Sequence, residues 1–278
     1  MSARHFPHLA DIAETRGAVH SYARVLGDWL KVCRPQRKHW WHASLRPELY
    51  GLTTRTVRGQ EDFVVSLDLY ESLARVNTAT GDEWLYELTG QSQAEFATAL
   101  SAYLVTAGVA PEAVPHSLYS DEAQPGYSRD AARRMGKALT GVSAAMEILR
   151  AGIREECSPI QLWPHHFDLS MLWLPGDKVD GVDPADEESA DKQMNFGFVF
   201  GDAGIEEPYF YVTAYPFPDG MLQVPLPGEA RWQTEGFKGA VVNWQAVANS
   251  NDSTDTLLAL WTCLLGAGRS HLLTKADD

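Results

Sequence analysis

Two short histidine-containing segments hold the residue types best suited to chemistry. In HWWHASLR the candidates are Trp40, His42, Ser44 and Arg46. In HHFDLS they are His166, Asp168 and Ser170. A histidine exchanges protons near neutral pH, a carboxylate can orient it, and an arginine can anchor an anionic substrate. The two segments therefore predict a site for acid–base or metal-assisted chemistry.

Alternating residue types predict that both segments are β-strands, within KHWWHASLRPELYGLTT and IQLWPHHFDLSMLWL. Every second side chain of a strand lies on the same face. The polar residues at even positions of each segment, from His42 to Arg46 and from His166 to Ser170, then share one face. His165 falls on the opposite, otherwise apolar face, where a packed histidine is expected. We expect the two polar faces to converge between two halves of the chain.

Three interpretations of these residues stay open. In the first, His42, His166 and Asp168 bind a divalent metal that keeps open positions, although their spacing matches no recognised metal motif. In the second, His166 is a general base oriented by Asp168, with His42 beside it and the substrate anchored by Arg46. In the third, the histidines and tryptophans are structural and make no site.

A further set of residues suggests ligand binding without catalysis. Tyr209, Tyr211, Thr213 and Tyr215 share one face of a predicted strand. An aromatic strand face can line a cleft, although an aromatic sheet surface covered by a helix is the commoner arrangement. The predicted ligand-binding residues are Trp40, Ser44, Ser170, Tyr209 and Tyr211. A non-catalytic ligand-binding or protein-interaction protein is therefore the alternative to a small-molecule enzyme.

The elements that must position these residues follow one order twice. Apolar periodicity predicts a helix over 9–33, several strands, and a helix that ends at Gly108. A second helix is predicted over 128–156, followed by strands and by a helix from Ser253 to about Leu265. The sequence thus predicts an α+β fold with two pseudo-repeated halves, each a mainly antiparallel sheet flanked by helices. The predicted halves are residues 1–110 and 128–278, joined by a linker over 111–127.

Matching residues support an internal duplication. Cys33, Pro35 and His42 recur as Cys157, Pro159 and His166, all at an offset of 124. The closing helices match at an offset of 160, and an acidic insertion over 176–192 accounts for the difference. This insertion is predicted to be a mobile surface loop, since it lacks large apolar groups.

Composition limits the classes of partner. The formal net charge of −14 argues against nucleic acid and anionic membranes, both of which require basic surfaces. No apolar run approaches the length of a membrane span, and the N-terminus does not resemble a secretory signal. Three cysteines without paired spacing are typical of reduced thiols, so we expect a cytoplasmic protein. With nucleic acid and membranes disfavoured, the expected partner is a small molecule.

Three ordered blocks, HWWHASLRPELYGLTT, QLWPHHFDLSMLWLPG and EPYFYVTAYPFPDG, together resemble a bacterial family of uncharacterised proteins, known only as a domain of unknown function. The resemblance covers nearly the whole chain. It implies a single-family bacterial protein, and it brings no activity, cofactor or catalytic residue with it.

Overall fold

The computed structural model describes residues 5–109, 118–186 and 188–273. Within them the fold is α+β and contains two antiparallel sheets, as the sequence predicts. The helices are α1 (Ala13–Cys33), α2 (Gln93–Thr106), α3 (Arg129–Ala151), α4 (Trp244–Ala248) and α5 (Ser253–Leu272). A 3₁₀ helix spans Lys38–Ala43 and another spans Met221–Gln223.

Strands follow the long helices in both parts of the chain. After α1 come β1 (Arg46–Glu48), β2 (Gly51–Thr53), β3 (Phe63–Asp68), β4 (Leu73–Thr78) and β5 (Glu83–Glu87). After α3 come β6 (Glu156–Cys157), β7 (Gln161–Trp163), β8 (Asp168–Leu174), β9 (Gln193–Val199), β10 (Tyr209–Tyr215), β11 (Arg231–Gln233) and β12 (Gly239–Asn243). The order helix, sheet, helix therefore occurs twice, while the duplication itself stays a prediction.

Contacts divide the described residues into two compact units. The N-terminal unit comprises Leu9–Thr140 and Gln161–Phe167; the C-terminal unit comprises residues within 1–8, Gly141–Ile160 and Asp168–Asp278. This division differs from the predicted halves, which follow the order of elements. The first seven residues of the predicted linker lie outside the described residues. Its remainder packs back on the N-terminal unit, where the Gln124 amide donates to the Gly90 carbonyl at 2.7 Å.

In the N-terminal unit, β1 to β5 form an antiparallel meander in chain order. Alternate residues of β3 are buried, as the period of two predicts. Helix α2 packs on β5 through Trp84 and Tyr103, whose rings are stacked with centroids 5.6 Å apart. It also contacts α1, where the centroids of Tyr22 and Phe96 are 4.8 Å apart.

In the C-terminal unit, the strands run in the order β6-β8-β9-β10-β12-β11. Register separates two faces of this sheet. One is apolar and includes Trp173, Met194 and Phe198, all fully buried. Helix α5 lies close to this face at Gly268, where an added Cβ would come within 2.1 Å of the Met194 Sδ. The opposite face carries Asp168, Ser170, Asn195 and the tyrosines of β10.

The predicted end of α5 is wrong. The helix continues past Gly266 and Gly268 to Leu272. Gly268 allows the close packing of helix on sheet, so it lies inside the helix and does not cap it.

The acidic loop over 176–192 is on the surface, as predicted, and its described residues are closed by a β-bridge between Lys178 and Asp191. The Lys178 Nζ lies 2.5 Å from the Asp191 Oδ1, so an ion pair supports the bridge.

Candidate functional site

The segment HWWHA forms a 3₁₀ helix, so the predicted strand over it is wrong. His39 and Trp40 adopt left-handed backbone conformations, with φ of 51° and 56°. The Arg37 amide donates to the His42 Nδ1 at 3.1 Å, and the Trp40 ring stacks on the His42 ring at 5.5 Å between centroids. These local contacts favour a turn over an extended strand. His42 is 4% exposed, and Trp40 is on the surface.

Ser44 and Arg46 do not share a strand face with His42. Ser44 follows the 3₁₀ helix in extended conformation, and Arg46 begins β1 and is half-buried. The Ser44 hydroxyl lies 2.8 Å from the Gln161 Oε1 and 2.9 Å from the Trp41 carbonyl, and it is buried. This hydroxyl therefore ties the segment to β7 within the N-terminal unit.

A turn over residues 164–167 breaks the second predicted strand. The Phe167 amide donates to the Trp163 carbonyl at 2.8 Å, and Phe167 has a φ of 56°. The His20 Nε2 lies 3.0 Å from the Pro164 carbonyl and 3.2 Å from the His165 carbonyl. Carbonyls only accept hydrogen bonds, so this nitrogen carries the proton, and α1 holds the turn from 144 residues away.

Because of this turn, strand alternation does not apply to the two histidines at 165 and 166. Both are exposed, and the prediction that His165 is packed in an apolar face is wrong. Asp168 begins β8 and is buried, like Ser170. The assignment of His42, His166, Asp168 and Arg46 to catalysis stays a prediction.

Asp168 lies in a buried polar network on the C-terminal sheet. The Tyr211 hydroxyl donates a short hydrogen bond to the Asp168 Oδ2 and accepts one from the Asn195 Nδ2 at 3.1 Å. Burial, and then the charge of Asp168, raises the pKa of Tyr211 well above its ordinary value. The phenol is therefore a hydrogen-bond donor that stabilises the carboxylate.

The Tyr211 ring lies across Gly197 of the neighbouring strand. An added Cβ there would come within 2.2 Å of the Tyr211 Cζ, so this position requires a glycine. Tyr209 is also buried, and its hydroxyl donates to the Asp202 Oδ2 at 2.7 Å. Both tyrosines thus have polar partners of their own in this unit.

The assignment of His42, His166 and Asp168 to a metal site stays a prediction. Among the described residues, no group of three or more His, Cys, Asp or Glu is placed to hold a metal ion. In the same residues, no helix has the length and apolar character needed to cross a bilayer.

The C-terminal unit also contains a pocket that no sequence motif indicates, which we name the α4–α5 pocket. Its volume is about 410 Å³, and the loop 227–230, strand β12 and helices α4 and α5 line it. Buried Val242, Val247, Leu257 and Leu260 form its apolar walls. No sequence motif indicates this pocket, because its apolar residues are distant in sequence and become neighbours only in the folded unit.

Two contacts hold the loop that borders this pocket. The Trp232 Nε1 donates to the Val224 carbonyl at 3.0 Å, and the Cys263 Sγ lies 3.7 Å from the Pro225 carbonyl. Small residues face the cavity from three elements, namely Gly228, Ala246 and Ala259. The cavity therefore exists because side chains there are short, and larger ones would fill it.

A family model described as a family of unknown function (DUF5996) matches residues 6–269 of the chain. No curated protein and no solved structure matches it. The match confirms the resemblance to a domain-of-unknown-function family.

Proposed function

We propose that this chain, which belongs to the DUF5996 family of unknown function, is a binding protein for a small, mainly apolar molecule held in the α4–α5 pocket. One observation supports this most: the pocket has a volume of about 410 Å³ and mainly apolar walls. Sites for small organic ligands are clefts of roughly 300–1,000 Å³ with apolar walls and few polar groups.

Two polar side chains of the pocket lining can form hydrogen bonds with a ligand. The Asn249 Oδ1 accepts from the Gln245 Nε2 at 2.6 Å, and the Nδ2 of the same amide can only donate. The Ser250 hydroxyl donates to the Val247 carbonyl at 2.7 Å, which leaves its lone pairs to accept. A ligand with an apolar body and one hydrogen-bonding group fits this lining.

Charge narrows the ligand class further. Glu229 is an acidic residue of the lining, and the chain carries a formal net charge of −14. Both disfavour an anion in the pocket. The proposed ligand is therefore neutral or cationic.

We also propose that this is a bacterial, cytoplasmic protein. Cys33, Cys157 and Cys263 are free and half-buried, which fits a reducing compartment. Burial raises the pKa of the Cys157 thiol to about 11, so this thiol is protonated near neutral pH.

Titration of the whole chain with the neutral dye N-phenyl-1-naphthylamine tests the binding proposal, because this dye fluoresces in apolar sites. We expect saturable binding of one dye per chain with a Kd of order 0.1 mM, as the usual yield of binding energy per ligand atom implies. The variants Ala246→Trp and Ala259→Trp place an indole in the cavity and should weaken binding at least tenfold. Thr262→Trp is the matched control, since this exposed residue of α5 does not line the pocket.

Far-UV circular dichroism of each variant shows whether it has folded. Equal dye binding by Ala259→Trp, Ala246→Trp and the Thr262→Trp control would refute the pocket as the binding site. Non-saturable dye binding by the parent chain would also refute it.

A further inference from the structure

A cluster of charged side chains lies between helix α1 and the turn 164–167, within the N-terminal unit. His20, Arg24, Asp28 and Lys31 recur every three or four residues of α1, so they share one face of the helix. The turn contributes His165. This cluster shares no residue with the lining of the α4–α5 pocket.

Lys31 and His165 are in direct contact. The Lys31 Nζ lies 2.5 Å from the His165 Nε2 and 3.2 Å from the Asp28 Oδ1. A lysine ammonium can only donate hydrogen bonds, so the His165 Nε2 is the acceptor and the ring is neutral in this arrangement. Loss of hydration, followed by the charge of Lys31, lowers the pKa of His165 accordingly.

Cations outnumber anions in the cluster. Arg24 and Lys31 act on His165 together with the neighbouring His166, and Asp28 is the acidic group that opposes them. Both Asp28 oxygens are already engaged, since Oδ1 contacts Lys31 and Oδ2 accepts from the Tyr119 hydroxyl at 3.2 Å. A locally positive surface therefore lies on a chain whose formal net charge is −14.

Several contacts join helix α1 to the turn 164–167. His20 bonds to the turn backbone, and its ring stacks on Phe167 at 5.0 Å between centroids. At Gly27 the turn approaches α1 so closely that an added Cβ would lie 2.8 Å from the Pro164 Cγ. Helix and turn are thus held against each other, which places Lys31 and His165 side by side before any ligand arrives.

We propose that this cluster binds a small dianionic oxyanion, such as sulfate or a phosphate group, between Arg24, Lys31 and His165, and that His165 takes up a proton on binding. A protonated His165 presents an N–H donor beside the Lys31 ammonium, and the two cations repel each other. An oxyanion between them accepts from both and removes that repulsion. Binding and protonation therefore stabilise each other.

Arg16 and Arg24 face His20, whose pKa is lowered first by burial. His20 already donates to backbone carbonyls, so it is a positioning residue for the turn. The charged and titratable groups that act on His165 are then Arg24, Asp28, Lys31 and the neighbouring His166.

Titration of the full chain with sodium sulfate tests the proposal, because sulfate keeps its charge across the working pH range. We expect the sulfate Kd to tighten by up to about tenfold per unit fall in pH while one proton is taken up. Histidine ring resonances in NMR should show the His165 pKa rising in sulfate relative to sodium chloride of equal ionic strength. A second arm with phenyl phosphate asks whether an esterified group binds more tightly than the free anion.

Lys31→Met should weaken sulfate binding at least tenfold, and His165→Gln should abolish its pH dependence. Lys178→Met is the matched control, because it removes one lysine charge in the acidic loop of the C-terminal unit. Equal loss of sulfate binding in Lys178→Met and Lys31→Met would overturn the proposal. So would His165 resonances that do not move in sulfate. Dye binding in the α4–α5 pocket is read separately, so the two proposals fail independently.

Discussion

Helix α5 lies close to the C-terminal sheet at one glycine and not at another two residues away. The substitution of each glycine by alanine should therefore change the free energy of unfolding in opposite directions. Gly266 is exposed, and an added Cβ would meet nothing within 4 Å. Gly268 is buried, and its added Cβ would come within 2.1 Å of the Met194 Sδ and 3.3 Å of the Trp173 Cζ3. The same substitution, glycine to alanine, therefore separates helix propensity from packing.

The expected magnitudes follow from these distances. Alanine stabilises a helix interior by about 1 kcal/mol relative to glycine, so Gly266→Ala should raise the free energy of unfolding by about that amount. At Gly268 the same gain is opposed by overpacking, which costs about 1–3 kcal/mol in a filled core. Met194 is flexible and can yield in part. We therefore expect Gly268→Ala to lower the free energy of unfolding by about 0–2 kcal/mol.

Urea unfolding followed by far-UV circular dichroism and by tryptophan fluorescence measures both variants. The difference between them should be about 1–3 kcal/mol, which is resolvable when the m-values agree. Met194→Val shortens the side chain that an alanine at 268 would meet, so it should reduce the loss in free energy of unfolding caused by Gly268→Ala. A double-mutant cycle measures this coupling. If Gly268→Ala proves as stabilising as Gly266→Ala, the proposed packing of α5 on Met194 is refuted.

Two further predictions concern polar contacts of the C-terminal unit. Tyr211→Phe removes the hydroxyl that bonds to Asp168 and Asn195, so it should lower the free energy of unfolding by about 1.5–3 kcal/mol. Tyr215→Phe is the control, because Tyr215 lies at the exposed end of β10. This control should change the free energy of unfolding little in the same urea assay. The hydrogen bond from Arg269 lowers the pKa of Glu155 from 4.5 to about 2, so its stabilisation is present above pH 4.5 and is lost as the pH falls toward 2. With solvent screening, this loss should be about 1 kcal/mol and should disappear in Glu155→Gln; an unchanged pH profile in that variant would contradict the ion pair.

Much of the architecture was predictable because helices and strands follow from the local periodicity of apolar residues. Helical spacing predicted the long helices, and alternating residue types predicted the strand that carries Tyr209 and Tyr211, which is β10. The α+β class followed from the order of these elements. The ends of elements were less predictable, because glycine marks both the end of a helix and a close approach of helix to sheet.

The predicted site depended on two strands, and both predictions failed at the same kind of place. His42 lies in a 3₁₀ helix held by its own contact with the Arg37 amide, and Pro164 begins a turn that α1 holds through His20. Alternation of residue types predicts only which side chains share a face of an extended segment. It does not reveal a turn of a few residues inside an otherwise apolar segment.

By itself, the sequence determined the order of the long helices and of the strands between them, and with it the class of fold, because periodicity and chain order are local properties. Tertiary structure alone decided that Tyr211 contacts Asp168 from 43 residues away, that Lys31 meets His165, and that short side chains leave a cavity between α4 and α5. Such contacts join residues distant in the chain, and only the packed fold brings them within hydrogen-bonding range.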